Sequence, residues 1–133
     1  MFKANRIPGW FDYGGVLLIP ASLNGTRLNF MVDTGAAYTA IKRQALDKIT
    51  AEPTDFKRSI GSVGEKIFTA PTLKADNLGV GSTIQSNLLI SIVDFPPGFQ
   101  FHGILGMDFM RKYRITIETD TATLVLREIP KKR

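Results

Sequence analysis

The stretch Leu28-Asn29-Phe30-Met31-Val32-Asp33-Thr34-Gly35-Ala36 is the most informative part of this chain. Its alternating apolar residues predict a half-buried β-strand that ends at Asp33. Such a strand would project the carboxylate out of the sheet at a tight turn, where Gly35 lets the backbone approach a substrate closely. The Thr34 side chain is expected to hydrogen-bond neighbouring backbone and to hold the loop rigid.

A second motif lies downstream of the Asp-Thr-Gly tripeptide. Gly103-Ile104-Leu105-Gly106 precedes a predicted short helix at 107–113 and a predicted hairpin with strands at 114–118 and 123–127. On its own the tripeptide is common, and Asp33 could simply be a turn residue that holds its own loop. The two motifs in this order favour a catalytic interpretation, because a motif gains weight from its structural context.

This combination resembles the retropepsin-like aspartic proteases over roughly residues 14–127. That family shows Asp-Thr/Ser-Gly-Ala after an apolar strand, as in residues 32–36, and later two apolar residues and a glycine before a helix, as in residues 104–106. The resemblance implies an all-β fold, a retropepsin-like acid-protease β-barrel with one short helix near the C-terminus. It also implies assembly as a two-fold homodimer.

Hydrolysis of a peptide bond by carboxylates requires two of them, about 3 Å apart and sharing one proton. The chain has one Asp-Thr-Gly, so a second copy must supply the other aspartate across a two-fold axis. The prediction is an aspartic endopeptidase with Asp33 catalytic and a peptide or protein as substrate. The alternative is a catalytically silent dimerisation or peptide-binding module. Asp120-Thr121-Ala122 lacks the glycine and is expected to be a hairpin turn.

The resemblance also suggests where a substrate would bind. It places the substrate backbone near the Asp33 loop and assigns residues 60–65 to a flap, a hairpin that closes over substrate. Glycines around a small residue suit a mobile tip, although an ordinary hairpin turn has the same composition. The expected substrate-binding residues are Thr34, Gly35, Ala36, Gly61, Ser62, Val63 and Gly64. Ala37 departs from viral members with an acidic residue there, so dimer contacts at this point are expected to differ.

The rest of the chain predicts more short strands. An apolar run at 16–23 precedes Asn24-Gly25, a strong hairpin signal, and 27–32 is the return strand. Further strands are expected at 56–60, 66–73, 76–80 and 88–93, with a short helix at best at 42–49. One domain is expected over 1–133, with an irregular lead-in at 1–13 and a basic tail at 128–133.

The composition and the motifs of the chain argue against several other functional classes. The 133 residues contain no cysteine, so disulfides and thiol chemistry are absent, and the compartment stays undetermined. The net charge of +5 is scattered and lacks a nucleic-acid-binding module, so no nucleic-acid partner is expected. His102 is the only histidine and is read as a loop residue, so no metal is expected. No phosphate loop is present, so no cofactor is expected, and no apolar run reaches the roughly 18 residues of a membrane segment.

Overall fold

A computed structural model describes residues 4–131. Within them the chain forms strands, one 3₁₀ helix at Arg43–Lys48 and one short helix, α1, at Met107–Met110. The strands are β1 (Asn5–Pro8), β2 (Trp10–Asp12), β3 (Val16–Leu23), β4 (Thr26–Val32), β5 (Ala40–Lys42), β6 (Glu52–Val63), β7 (Lys66–Val80), β8 (Thr83–Val93), β9 (Gly103–Leu105), β10 (Tyr113–Glu118) and β11 (Thr123–Glu128). The all-β prediction is confirmed, and the helix is shorter than the predicted 107–113.

Six strands close into a ring. In hydrogen-bonding order they are β3, β4, β9, β5, β8 and β7, and β7 returns to β3 through the pairs Ser22–Gly79 and Leu23–Leu78. Closure removes the exposed edges that an open sheet would have. β2 pairs with the first half of β3, and β6 pairs with β7 on the outside of the ring. The predicted barrel is therefore present.

The hairpin between β3 and β4 sets the register of the strand that leads to Asp33. Asn24 and Gly25 both have positive φ, 49° and 86°, as a type I′ turn requires. The turn pairs Leu23 with Thr26, and Leu28 and Phe30 of β4 then face the core. Because strand side chains alternate between faces, this register determines how β4 enters the Asp33 loop.

Branched aliphatic and aromatic side chains fill the inside of the barrel. In α1, Phe109 and Met110 are completely buried and belong to the same core. Other fully buried members of this core are Ile19, Leu23, Phe30, Ile41, Leu73, Leu78, Ile90 and Leu105.

The prediction of an irregular lead-in at 1–13 is wrong between Asn5 and Asp12, which form β1 and β2. β1 joins a three-stranded sheet with β11 and β10. The side-chain amide nitrogen of Asn5 fixes it there by donating to the Val80 carbonyl (2.9 Å) and to the Thr83 hydroxyl (2.8 Å). Strand formation thus depends on partners more than 70 residues away, which local composition does not reveal.

The carboxyl terminus differs slightly from its prediction as a tail from residue 128. β11 includes Glu128, and residues 129–131 follow it without regular secondary structure. The remaining predicted tail residues, 132 and 133, and the first three residues of the predicted lead-in lie outside the described residues.

His102 links β4 to the segment before β9. Its Nδ1 accepts a hydrogen bond from the Asn29 amide (3.0 Å), and its own amide donates to the Asn29 carbonyl (2.8 Å). Burial, and then the charges of Lys48 and Lys42, lower the pKa of the His102 imidazole. The folded state therefore favours the neutral ring, whose Nδ1 lone pair is needed as an acceptor.

We expect this histidine to make stability depend on pH. Because its pKa is lower in the folded than in the unfolded state, its contribution is present above about pH 6.5 and is lost as pH falls towards the folded value. His102→Asn keeps an acceptor but does not titrate. Urea unfolding at pH 7.0 and 5.5 should show a smaller acid loss in His102→Asn than in the wild type. Equal losses would contradict this assignment.

Candidate active site

Asp33 lies where β4 meets the end of β9. Val32 pairs with Leu105 in parallel register, and the next amide, of Asp33, donates to the Leu105 carbonyl (3.1 Å). The Asp33 Oδ1 atom accepts a hydrogen bond from the Gly35 amide (2.9 Å). This local bond orients the half-buried carboxylate at the turn, as short polar side chains commonly do.

The residues after the Asp33 turn are held by α1. The Met107 amide donates to the Ala36 carbonyl (2.8 Å), and the Asp108 amide donates to the Ala37 carbonyl (3.0 Å). The first amides of a helix have no partner within the helix. Here they bind the loop that carries Asp33, so the helix is attached directly to the candidate site.

A partly buried hydrogen-bond network reinforces this attachment. The Asp108 carboxylate accepts from the Thr39 amide (3.0 Å to each oxygen) and from the Thr39 hydroxyl (2.7 Å). The Thr39 hydroxyl also accepts from the Gly106 amide (3.1 Å). Bonds to an ionised carboxylate are the stronger kind. We call these contacts of Thr39, Gly106 and Asp108 with the loop the β9–α1 clamp.

The clamp explains the glycine of the second motif. A Cβ atom on Gly106 would lie 2.6 Å from the carbonyl carbon of Tyr38 and 2.9 Å from the amide nitrogen of Thr39. Both are backbone atoms, so any larger residue would push the Asp33 loop away. The sequence pointed to Gly106, but it did not reveal the roles of Thr39 and Asp108, which lie 69 residues apart.

A cavity of about 420 Å³ adjoins the Asp33 loop. The loop contributes Gly35 and Ala36 to its wall, and the barrel contributes Ser91 and Ile104. Ser59 and Ile60 of β6 form a further part of the wall. The cavity therefore lies between the Asp33 loop and the strand that leads into the predicted flap.

The remaining predicted site residues lie outside this cavity. Thr34 is exposed and makes no side-chain hydrogen bond to any residue from 4 to 131, so the loop is held by the clamp and not by Thr34 as expected. Gly61, Ser62, Val63 and Gly64 are exposed near the tip of the β6–β7 hairpin. Gly64 has a φ of +59° at the two-residue turn, a conformation that favours glycine.

A cation–π contact joins β6 to the loop. The Arg58 guanidinium carbon lies 4.1 Å from the centre of the Tyr38 ring, and Arg58 also donates to the Leu89 carbonyl (3.1 Å). Contacts of this kind are worth about 0.5–2 kcal/mol. No sequence pattern signalled the pair, which ties the base of the hairpin to the residue before Thr39.

The described residues contain no cluster of three or more histidine, aspartate or glutamate side chains placed to hold a metal ion. None of the helices between residues 4 and 131 has the length and apolar character needed to cross a membrane.

The closed barrel, the Asp33 turn and the helix behind it define a retropepsin-like aspartic protease fold. A retropepsin-like aspartic protease from Rickettsia conorii is similar in structure, with 21% identity, a TM-score of 0.67, and coverage of 96% of this chain and 94% of that chain. The EIAV protease, complexed with the inhibitor HBY-793, is similar with 16% identity and a TM-score of 0.51. The match covers 77% of this chain and 91% of that chain. The retroviral protease-like domain of Ddi1 from Leishmania major is similar with 12% identity and a TM-score of 0.53. The match covers 86% of this chain and 94% of that chain.

The sequence itself supports the same assignment. The family model described as aspartyl protease matches residues 19–109, and the chain belongs to that family. A search of curated proteins found no match.

The contribution of the β9–α1 clamp to stability should be measurable with the variant Thr39→Val. Valine keeps the shape but leaves an oxygen of Asp108 and the Gly106 amide without their hydroxyl partner, so we expect a loss of about 1–3 kcal/mol of unfolding free energy. Hydrogen exchange at residues 35–37 should also become faster. The control is Thr69→Val on an exposed position of β7, where a change within about 0.5 kcal/mol is expected. Equal effects of the two variants would contradict the role of Thr39.

Proposed function

We propose that the protein is an aspartic endopeptidase in which two Asp33 carboxylates, one from each copy of a homodimer, activate a water molecule. The observation that carries this proposal is the position of Asp33. Its carboxylate is oriented by the Gly35 amide (2.9 Å) on a clamped loop that also forms a wall of the 420 Å³ cavity. A rigid loop is what a catalytic carboxylate needs, because small misplacements of a reacting group cost rate.

The proposed reaction uses the two carboxylates in different protonation states. The ionised Asp33 accepts a proton from water as the water oxygen attacks the scissile carbonyl carbon. The protonated Asp33 donates a hydrogen bond and then its proton to the carbonyl oxygen. The resulting tetrahedral intermediate collapses when the amide nitrogen is protonated and leaves. Water is the nucleophile, so no covalent intermediate forms, and no cofactor is invoked.

A second copy of the chain is required because one chain offers a single suitable carboxylate. Asp108 is the other aspartate in the hydrogen-bonded segments around the loop, and it is committed to Thr39 and to the Phe109 amide. Thr34 is exposed beside Asp33 and is free to contact the matching loop of a partner. A two-fold axis past this loop would bring two identical carboxylates together.

The substrate in this proposal is an extended peptide between the Asp33 loop and the β6–β7 hairpin. An extended chain can hydrogen-bond along a strand through its own backbone. The hairpin carries exposed apolar side chains, with Val63 72% and Ile67 65% accessible. These apolar groups would be covered when the hairpin closes on a substrate. The part of the hairpin proposed to close consists of Gly61, Ser62, Val63 and Gly64.

Asp33→Asn tests the proposal directly. An amide cannot accept and donate the shared proton, so cleavage of casein or of a peptide library should fall by about 10³-fold or more. Circular dichroism and size-exclusion elution should stay as in the wild type.

The matched control is Asp120→Asn in the exposed Asp-Thr-Ala turn, which the structure places between β10 and β11. This variant should keep full activity. Turnover that survives Asp33→Asn would remove Asp33 from the mechanism. Peptide binding by a wild type that never cleaves would favour the silent binding module.

Dilution tests the requirement for a second chain. Specific activity should fall as the enzyme is diluted through its dimer dissociation constant, because each chain carries half of the site. The paired carboxylates take up one shared proton when they meet, so the dimer should tighten as pH is lowered from neutral to mildly acidic. Analytical ultracentrifugation across concentration and pH measures both effects. A monomer that cleaves at full rate would contradict the homodimer.

A further inference from the structure

The cavity beside the Asp33 loop has an unusual residue in its floor. The sheet register places Ala40 beside Ser91 and Ser91 beside Thr72, so the three side chains form one row across β5, β8 and β7. Their neighbours Ile41 and Ile90 face the barrel core. Because strand side chains alternate between faces, the row points to the opposite face, which is the cavity side.

The two hydroxyl groups of this row differ in their bonding. Thr72 donates to the Phe56 carbonyl (2.7 Å) and contacts the Thr54 hydroxyl (2.6 Å). The Ser91 hydroxyl is buried and has no hydrogen-bond partner among the described residues, while the whole residue is 1% exposed. Buried polar atoms nearly always have a partner, so an unpaired one requires a physical explanation.

A group bound in the cavity could serve as the hydrogen-bond partner of the Ser91 hydroxyl. Ser91 lines it together with the apolar side chains of Ala40, Val93 and Ile104. Its volume of about 420 Å³ is many times the roughly 30 Å³ that one water occupies in the liquid, so a whole side chain can enter. Because the Ser91 hydroxyl has almost no accessible surface, an occupant would contact it only after rotation about the Cα–Cβ bond. The site therefore combines mainly apolar walls, which also include the exposed Ser59, with one buried hydroxyl in the floor.

We infer that this cavity is a subsite for an uncharged substrate side chain with a hydrogen-bonding tip, asparagine or glutamine, and that Ser91 selects it. The inference rests on the proposed function, since it deepens the specificity of the same site. A carboxamide both donates and accepts, as a hydroxyl does, so either orientation of Ser91 can be matched. A charged tip would lose its hydration in the cavity, and none of the described residues that line the cavity carries a charge to pair with it.

The discriminating experiment compares peptides that differ only by asparagine or leucine, two side chains of nearly equal shape. The pair is placed in turn at each position around the scissile bond of a cleaved peptide, and kcat/KM is measured. At one position the wild type should prefer asparagine about 5- to 10-fold, tenfold corresponding to about 1.4 kcal/mol. In Ser91→Ala this preference should vanish or reverse, because the floor is then apolar.

Two controls separate a change in side-chain preference from a general loss of stability or of cavity shape. Ser91→Ala removes an unpaired hydroxyl, so its melting temperature should be unchanged or higher than that of the wild type. Ser59→Ala alters an exposed hydroxyl on the β6 wall of the same cavity and should keep the asparagine preference. Loss of the preference in Ser59→Ala but not in Ser91→Ala would overturn the assignment to Ser91.

A binding measurement keeps this inference separate from the proposed activity. The same peptide pairs are titrated into Asp33→Asn and into Asp33→Asn combined with Ser91→Ala, by calorimetry. A Ser91-dependent preference in binding, with no cleavage by the wild type, would support the subsite and overturn the endopeptidase. Cleavage without a Ser91-dependent preference would overturn the subsite alone. Absence of both cleavage and binding would overturn both.

Discussion

The candidate site depends on the clamp between the Asp33 loop and the β9–α1 segment. Amides at the start of α1 donate to the carbonyls of Ala36 and Ala37, and the buried Thr39 joins Asp108 to Gly106. Thr39 and Gly106 are buried, so leaving their polar groups without partners would be costly, and the bonds stabilise this conformation of the loop. Gly106 is essential to this contact because any Cβ atom would collide with the backbone at Tyr38.

The barrel brings the two halves of the clamp together. The parallel pairing of β4 with β9 places Val32 beside Leu105, so the chain leaves both strands at the same point. His102 reinforces this pairing just before β9, through two bonds to Asn29. The apolar core inside and the cavity on the outer face use alternate residues of the same strands, as with Ile90 and Ser91. The core and the cavity are thereby built on opposite faces of the same sheet.

The sequence predicted correctly those features that depend on interactions between residues close together in the chain. The Asn24-Gly25 turn and the all-β pattern were predicted, because turn chemistry and hydrophobic periodicity act over a few residues. The prediction of an irregular lead-in was wrong for residues 5–12, because β1 forms by pairing with β11 and by the Asn5 contacts near Val80, and β2 forms by pairing with β3. The predicted stiffening role of Thr34 was wrong for the same kind of reason, since distant residues hold the loop.

The sequence by itself determined the family, the strand that carries Asp33 and the glycine that closes the clamp. These follow from short motifs whose order along the chain is visible. Only the tertiary structure decided that Thr39 binds Asp108, that Arg58 stacks on Tyr38, and that the Ser91 hydroxyl, beside a cavity, has no hydrogen-bond partner among the described residues. The first two contacts depend on how the barrel brings together segments far apart in sequence. The position of Ser91 depends on sheet register, since a shift of one residue would turn its side chain to the core face.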